Sequence, residues 1–274
     1  MNCSHITLRP HLLLYWCCCA LILLYSAFAH AEVQLYVDDV SPYFYRESGV
    51  EKGVFYEVLK DLSARLGHAG TISALPLARE LEVVRRDPKA IGMVARMPDR
   101  EESYTWLFKV LDEEIVLITT AESKLDISSS ASAQQLRVGV LRGSPSESTA
   151  RRLGYTNISP VAHSEENAGK LAIGRIDVWI AVWPVAQRAQ KQAGLELGKI
   201  RRGAVLSSFA FYCAASREFD PTEAEKWRSA FNTMQVDGTY ARILRNYDYA
   251  ISPVCLGRHC VSRQLRSTSR PSTQ

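Results

Sequence analysis

The sequence has few of the residues that carry enzymatic chemistry. It contains six histidines in 274 residues, and only His68, His163 and His259 follow residue 31. None of the three lies near a recognisable serine or cysteine nucleophile motif, and the G-x-S-x-G and H-E-x-x-H patterns are absent. No pair of carboxylates stands out by its spacing. The sequence therefore predicts that the protein is not an enzyme.

Cysteine is scarce outside the N-terminal segment. Of the seven cysteines, only Cys213, Cys255 and Cys260 follow residue 31. Three are too few for a disulfide scaffold, although Cys255 and Cys260 are close enough to close a small loop. Cys213 lies in an apolar stretch and is expected to be buried. The spacing of these cysteines from His259 is poor for zinc, so we predict no metal site and no cofactor.

The apolar run at the N-terminus is short. It covers residues 12–24, about 13 residues, whereas a membrane-spanning helix needs roughly 20. Arg9 precedes the run, and the small residues Ala29 and Ala31 follow it, which is the order found in a secretory signal. We therefore predict a signal peptide at residues 1–31, cleavage before Glu32 and export to the periplasm. An uncleaved membrane anchor is the alternative.

The folded part of the chain has no excess of positive charge. The net charge of +4 depends on residues 251–274, which contain four arginines and no acid, while residues 32–250 carry 28 Lys and Arg against 29 Asp and Glu. We expect this Ser-, Thr-, Pro- and Arg-rich tail to be disordered. A nearly neutral body predicts no nucleic-acid partner.

Short apolar runs alternate with helical patterns after residue 32, which is typical of an α/β protein. Strands are predicted at residues 33–39, 71–75 and 90–95, with a helix at 77–86 between the last two. The pattern restarts after the polar segment 123–135, with strands at 137–141, 158–162 and 177–183, and a last strand at about 209–215. Two such series predict a two-lobed α/β fold with two open mixed sheets.

The segment from Leu141 to Glu147 has the pattern of a helix start. Gly143 follows a strand, Ser144 can cap the helix, Pro145 suits the first turn and Glu147 completes a capping box. Free backbone N–H groups at such a start bind carboxylates or phosphates. The alternative is a capped helix with a purely structural role.

Two arginines flank the loop after the strand at 90–95. Arg96 and Arg100 follow Ala95, and strand ends in open α/β sheets are where ligands bind. An arginine there offers a two-pronged donor to a carboxylate. Alternatively, both arginines pair with neighbouring acids on the surface.

Aromatic residues occur at positions that would form the walls of a cleft. Tyr43 follows Ser41 and Pro42 in a loop, and Trp179 and Trp183 belong to the predicted strand at 177–183. Tyr43 is the best candidate for ligand contact, because tryptophans in strands are more often part of the core. Trp183, at the end of its strand, is retained as a second candidate.

Several segments together resemble the family-3 extracellular solute-binding proteins, the polar amino acid type of periplasmic receptor for ABC transporters. They occur in the family's order along residues 33–249. They are DDVSPYF at 38–44, GVFYEVL at 53–59, ARMPDRE at 95–101, RVGVLRGS at 137–144, GRID at 174–177 and DGTYARIL at 237–244.

This resemblance implies a type II periplasmic-binding-protein fold. Lobe 1 would comprise residues 32–112 and 209–250, lobe 2 residues 113–208, and the two hinge strands would cross near residues 111–114 and 210–212. The family's carboxylate-binding arginine corresponds to Arg100, and its anion-binding helix start to Gly143, Ser144 and Pro145. The partners would be a small-molecule ligand and an ABC transporter permease or a membrane sensor, with the chain as a monomer.

The sequence departs from the family pattern where an α-amino acid would bind. Met93 and Ala95 replace small hydroxyl residues, and Val182 stands where relatives carry the acid that holds the α-ammonium. An LPLAR segment at residues 75–79 resembles an element that would add Arg79 to the cleft. Three arginines and few acids favour an anionic, carboxylate-bearing solute. A sensory subunit and a periplasmic dehydratase on the same scaffold are the alternatives.

Overall fold

The computed structural model describes residues 33–247 and residue 249. The predicted signal peptide, the basic tail at 251–274 and the loop between Cys255 and Cys260 lie outside the described residues. Within the described residues, no helix is both long and apolar enough to cross a membrane.

Strands and helices alternate along this part of the chain, as the apolar runs predict. The strands are β1 (Gln34–Asp38), β2 (Tyr45–Glu47), β3 (Val50–Lys52), β4 (Ile72–Leu75), β5 (Ala90–Arg96), β6 (Thr105–Thr120), β7 (Val138–Leu141), β8 (Ile158–Val161), β9 (Val178–Val182) and β10 (Ile200–Ala215). The α-helices are α1 (Val54–Leu66), α2 (Leu77–Arg86), α3 (Ser130–Ala133), α4 (Pro145–Arg152), α5 (Ser164–Ala172), α6 (Trp183–Gln192), α7 (Pro221–Val236) and α8 (Thr239–Asn246). Short 3-10 helices cover Pro98–Ser103 and Leu197–Lys199.

One mixed sheet of eight strands organises the described residues, in the order β4-β1-β5-β10-β6-β9-β7-β8. Strands β4, β1 and β5 are parallel to one another, and so are β8, β7 and β9 at the opposite side. Strands β2 and β3 form a separate hairpin. Because parallel neighbours require crossover connections, each side of the sheet is a βαβ unit, which agrees with the two predicted series.

The two long strands β6 and β10 join the two sides of the sheet. Each has 16 residues, and they pair in antiparallel register from Ala215 opposite Thr105 to Ile200 opposite Thr120. The two groups of strands match the two predicted series of apolar runs. They form one sheet instead of two, because the connecting strands stay paired through both groups.

The first lobe is held together by the apolar face of α1. Its buried side chains recur at helical spacing and pack in the same core as Val37 of β1 and Trp227 of α7. Burying each such side chain contributes roughly 1.5–3 kcal/mol. This packing fixes the carboxyl end of β1. The loop that begins there faces the second lobe. The buried residues of α1 are Val54, Phe55, Val58, Leu59, Leu62 and Ser63.

Two predictions of local structure are wrong. Trp183 was expected to end a strand but is the first residue of α6, because Pro184 suits the first turn of a helix. Strand β10 begins at Ile200, well before residue 209. Arg201 and Arg202 make this segment look like a loop, yet its pairing with β6 supplies the backbone hydrogen bonds of a strand.

Candidate functional site

A cavity of about 40 Å³ lies between the two lobes, and we call it the interlobe cavity. Lobe 1 contributes Asp38, Val40, Tyr43, Leu77 and Ala95 to its wall. The facing wall consists of Leu141, Ser144, Pro145, Ser146, Ser164, residues 179–182 and Val185. Phe209 and Phe211 of β10 complete the lining. Residues at the carboxyl ends of several strands therefore meet here, as ligand sites of open α/β sheets do.

Asp38 is the only residue with a charged side chain among the described residues that line the cavity. It ends β1 and is 2% exposed, and its Oδ1 has no hydrogen-bond partner among the described residues. Burial raises the pKa of the Asp38 carboxyl to about 8, and the negative charge of Asp39 adds to the effect. Sequence reasoning missed this residue, although its position at a strand end was a usable signal.

A second buried acid, Glu80 of α2, lies behind Asp38. Its Oε1 accepts a hydrogen bond of 3.1 Å from the backbone N–H of Met93, and its Oε2 has no partner among the described residues. Burial raises the pKa of Glu80 well above the ordinary value, and the charge of Asp38 adds to this. Gly92 allows the Glu80 carboxyl group to approach β5, because a Cβ at residue 92 would lie 2.8 Å from Glu80 Oε1. Glu80 therefore has a structural role beside β5.

The start of α4 forms part of the lobe 2 side of the cavity, and Ser144 caps the helix as predicted, but the predicted capping box is not formed, because Glu147 accepts from the Gly143 N–H and not from the Ser144 N–H. The Ser144 hydroxyl oxygen accepts from the Glu147 N–H at 3.3 Å, and the Gly143 N–H donates to Glu147 Oε2 at 2.7 Å. Pro145 has no N–H to donate. The N–H of Ser146 has no acceptor among the described residues. One backbone donor at the positive end of the helix is thus available next to the cavity.

Arg100 crosses from lobe 1 to lobe 2 beside the cavity. Its Nη2 donates a hydrogen bond of 2.8 Å to the carbonyl oxygen of Gly143, and its Nη1 has no partner among the described residues. The side chain is nearly buried, and burial lowers the pKa of its guanidinium. Arg100 does not line the cavity. It therefore holds the loop before α4 rather than contacting the enclosed space.

Arg96 pairs with a neighbouring acid, which was the alternative interpretation of its position in the sequence. Its guanidinium makes a two-pronged interaction with the Glu101 carboxylate and lies over the rings of Trp106 and Tyr212, 5.2 and 5.0 Å from their centroids. These contacts lie within one lobe, so Arg96 does not reach the second wall of the cavity.

Arg188 of α6 crosses in the opposite direction, from lobe 2 to lobe 1. Its Nε donates to Ser41 Oγ at 3.2 Å, and its guanidinium carbon lies 4.3 Å from the centroid of the Tyr45 ring. Its Nη2 is 3.6 Å from a carboxylate oxygen of Glu47. Nothing in the sequence around Arg188 signals this contact, because it depends on how the two lobes face each other.

Of the other predicted site residues, Tyr43 and Ala95 line the cavity, whereas Arg79 and Trp183 do not. The Tyr43 ring stacks on Phe55 with centroids 4.5 Å apart, and its hydroxyl donates to Glu113. Arg79 is exposed on α2. The indole at the cavity wall belongs to Trp179 instead.

No group of three or more metal-ligating side chains occurs within residues 33–247 and 249. His68 is used structurally, since its Nε2 lies 3.1 Å from Glu223 Oε1 and its ring stacks on Trp227. Two further acids, Glu57 and Asp177, also have partners within the protein. Glu57 accepts from the Tyr247 hydroxyl, and Asp177 binds the Arg137 side chain through both oxygens.

No family model matches the sequence, and no curated protein matches it. Among solved structures, the arginine-, lysine-, histidine-binding protein ArtJ of Geobacillus stearothermophilus is similar, with a TM-score of 0.69 and 15% identity over 79% of this chain and 95% of that one. A histidine kinase sensor domain with similarity to periplasmic binding proteins has a TM-score of 0.71 and 12% identity over 79% and 96% of the two chains. The ancestral amino acid-binding protein AncCDT-1, a precursor of cyclohexadienyl dehydratase, has a TM-score of 0.70 and 17% identity over 82% and 99%.

These matches extend over nearly the full length of the solved chains, so they concern both lobes. The low sequence identity makes them evidence about fold. They support the resemblance that the sequence motifs indicated. The chain has the two-lobed α/β fold of the periplasmic binding proteins.

Proposed function

We propose that this chain is an exported solute-binding protein that encloses a small solute between its lobes and delivers it to an ABC transporter, without catalysing a reaction. The observation that carries the proposal is the interlobe cavity with arginines crossing beside it in both directions, Arg100 to Gly143 and Arg188 to Ser41. Contacts of this kind hold two lobes together around an enclosed ligand. Binding proteins for amino acids among the structural matches support the same function.

The lobes of the proposal are residues 32–112 with 209–250, and residues 113–208. The segments proposed as hinges, 111–114 and 210–212, lie side by side, with Leu111 opposite Phe211 and Asp112 opposite Ala210. The ladder between β6 and β10 is irregular between Phe211 and Tyr212. An irregularity of this kind disrupts the ladder and bends the strand locally, and this supports hinge motion at that position.

The solute of the proposal carries a carboxylate, which the Ser146 N–H and the start of α4 would receive. The described lining contains no arginine or lysine. Arg100 is therefore proposed as a positioning residue that fixes Gly143 and the loop before the helix, not as a direct ligand contact. A single water needs roughly 10–15 Å³ of such a cavity. A solute of more than a few atoms therefore fits only if the walls of the interlobe cavity move apart.

Thermal unfolding of the purified protein in the presence of single solutes tests the function. A solute at ~100 times its Kd stabilises the folded state by about 2.7 kcal/mol, which raises the Tm of a protein of this size by roughly 5–11 °C. The common amino acids, their 2-hydroxy acid analogues and small dicarboxylates form the panel. The absence of a shift with every one of them would contradict the proposal.

Two arginine variants give a matched comparison. Arg100→Ala removes the contact with Gly143 and is expected to weaken solute binding at least about tenfold, since a charged hydrogen bond is lost. Arg79→Ala removes an exposed arginine outside the cavity lining and is expected to keep the wild-type affinity. Equal affinities of the two variants would show that the contact of Arg100 across the lobes is not needed for binding.

A sensory role is the second candidate, because a histidine kinase sensor domain shares the fold at a TM-score of 0.71. In that case the closed form would contact a membrane sensor instead of a permease. Co-purification of the solute-loaded protein with candidate membrane partners distinguishes the two. Turnover of a prephenate-like substrate by the purified protein would instead favour the dehydratase alternative.

A further inference from the structure

We infer that the Glu113 carboxyl group forms a pH-sensitive contact with the hydroxyls of Tyr43 and Tyr249 at the proposed hinge, which favours closed lobes when Glu113 is protonated and open lobes when it is ionised. We call these three side chains the hinge cluster. The inference rests on the proposed solute-binding function and adds a control of lobe closure by pH.

The hydrogen bonds of the hinge cluster cross the proposed boundary between the lobes. Glu113 is the first residue of proposed lobe 2, whereas Tyr43 and Tyr249 belong to proposed lobe 1. Oε1 of Glu113 accepts from the Tyr43 hydroxyl at 2.9 Å and from the Tyr249 hydroxyl at 2.8 Å. A rotation of lobe 2 about the hinge segment 111–114 would change the position of this carboxyl group relative to both tyrosines. Its surroundings therefore depend on whether the lobes are closed.

Glu113 lies on the face of the sheet that meets the interlobe cavity. It is opposite Phe209 in the antiparallel ladder of β6 and β10, and directly opposite residues point to the same face of a sheet. Phe209 and Tyr43 both line the cavity, and Glu113 is only 6% exposed. Walls that move apart to admit a solute would therefore bring water to the face on which this carboxyl group is buried.

The groups around Glu113 disfavour its ionised form in the closed state. Burial raises its pKa to about 7, and the charges of Glu114 and Asp112, its neighbours on β6, act in the same direction. Lys109 and Arg202 pair with these two neighbours and not with Glu113. The tyrosine hydroxyls lower the pKa of Glu113 by donating to it, but burial has the larger effect.

The tyrosines of the hinge cluster do not titrate in the same range. Burial and the charge of Glu113 raise the pKa of the Tyr43 and Tyr249 hydroxyls well above the ordinary value, and the charge of Asp38 at the end of β1 acts in the same direction. Both hydroxyls therefore remain donors, and the proton on Glu113 is the one that changes within the cluster.

The direction of the pH dependence follows from the difference between the two states. Water around Glu113 in the open form would move its pKa from about 7 toward the ordinary 4.5. The closed form then binds the proton more tightly, so the ratio of closed to open molecules decreases as the pH rises from about 4.5 to about 7, by at most about tenfold per pH unit. Because the closed form holds the solute, binding takes up protons and weakens over the same range.

Small-angle scattering of the solute-free protein at pH 5 and pH 8 tests the inference. Wild type is expected to be more open at pH 8. Glu113→Gln still accepts hydrogen bonds but does not ionise, so it should lose most of this difference. Glu114→Gln is the matched control and should follow wild type, because the exposed Glu114 pairs with Arg202. The other buried acids are unchanged in all three proteins, so a difference between the variant and the control isolates Glu113.

Calorimetry of solute binding at pH 7 gives a second measure, with a variant that keeps the carboxyl group. The probe is the amino acid, 2-hydroxy acid or dicarboxylate that raises the Tm most, and titrations in phosphate and in Tris count the protons taken up. Wild type should take up roughly half a proton at Glu113, and Glu113→Gln should take up less than wild type. Tyr249→Phe removes a donor that favours the ionised form, so it should take up more.

Equal scattering profiles of wild type at the two pH values would overturn the inference and leave the solute-binding function intact. An equal pH response of Glu113→Gln and wild type would also overturn it, because another group would then control opening. If Glu113→Gln does not fold, a proton uptake by Tyr249→Phe equal to that of wild type has the same consequence. A panel in which no solute raises the Tm would contradict the function itself, whereas scattering would still decide whether Glu113 controls opening.

Discussion

Glu113 connects three parts of the chain through a single carboxyl group. Its Oε1 accepts hydrogen bonds from the Tyr43 hydroxyl at 2.9 Å and from the Tyr249 hydroxyl at 2.8 Å. Burial raises the pKa of Glu113 to about 7, although the two hydroxyl donors act in the opposite direction. This group belongs to the proposed hinge segment, so its protonation state bears directly on how firmly that segment is held.

Glu113→Gln is expected to change how stability depends on pH. Because the folded-state pKa of Glu113 is raised from 4.5 to about 7, Glu113 stays protonated to a higher pH in the folded state than in the unfolded state. The free energy of unfolding therefore decreases as the pH rises from about 4.5 to about 7, by up to about 3 kcal/mol. Glutamine still accepts hydrogen bonds but does not ionise, so the variant should lose this decrease.

Urea unfolding at pH 4.5 and pH 8 measures the effect. The matched control is Glu114→Gln, which neutralises the neighbouring exposed glutamate that pairs with Arg202 on the surface, a pair expected to contribute little. The control should follow the wild-type pH dependence. A pH dependence of Glu113→Gln identical to that of wild type would show that the pKa of Glu113 is not raised in the folded protein.

At the scale of the element, glycines fix how helices begin and approach their neighbours. Gly53 precedes α1 with φ of +129°, and its N–H donates to the Tyr247 hydroxyl at 2.7 Å. A Cβ at this position would lie 2.1 Å from the carbonyl oxygen of Tyr43. The entry into α1 thus depends on a residue without a side chain.

We expect Gly53→Ala to destabilise the protein by several kcal/mol, because both the backbone conformation and the contact with Tyr43 exclude a Cβ. Gly169→Ala is the matched control within α5, where a Cβ meets no atom within 4 Å. It should stabilise by about 0.5–1 kcal/mol. Chemical denaturation of both variants measures the difference, and similar stabilities would contradict the clash at Gly53.

Local signals in the sequence predicted most elements well. The bounds of α2 agree with the predicted 77–86, and Asp220, which directly precedes Pro221, caps α7 by accepting from the Glu223 N–H. Such features depend on neighbours along the chain. The β2–β3 hairpin was missed, because it has only three residues in each strand and little apolar pattern.

The candidate site was predicted only in part, because the sequence pattern shows what depends on neighbours along the chain and not what depends on contacts between the lobes. Tyr43, Ala95, Ser144 and Pro145 line the cavity because they follow strand ends, which the sequence pattern reveals. The contacts made by residues such as Arg188 depend on the relative placement of the lobes, which no local pattern encodes.

At the scale of the whole molecule, the contacts of Arg100 and Arg188 both act on the proposed equilibrium between open and closed lobes. Each arginine is anchored in one lobe and contacts the other. Both contacts exist only when the lobes are close, so both favour the closed state of the proposed opening motion. Their loss lowers solute affinity through the fraction of closed molecules, even where the arginine does not contact the solute.

Arg188→Ala is expected to make the solute-free protein more open and to weaken binding roughly 3–10-fold, since a partly exposed charge pair with a cation–π contact is lost. Small-angle scattering with and without solute measures the opening, and calorimetry measures the affinity. Arg175→Ala on the exposed loop after α5 is the control. A scattering profile of Arg188→Ala identical to wild type in both conditions would contradict a role in closure.

The indole of Trp179 gives the cavity a built-in optical reporter. It is 1% exposed and forms part of the cavity wall, whereas Trp183 lies outside the lining. A solute that enters the cavity replaces water or empty space against this ring, and an indole emits differently when its immediate surroundings change. Intrinsic fluorescence can therefore follow binding of a solute to the unlabelled protein in real time. The same measurement gives the rates at which the solute enters and leaves the cavity.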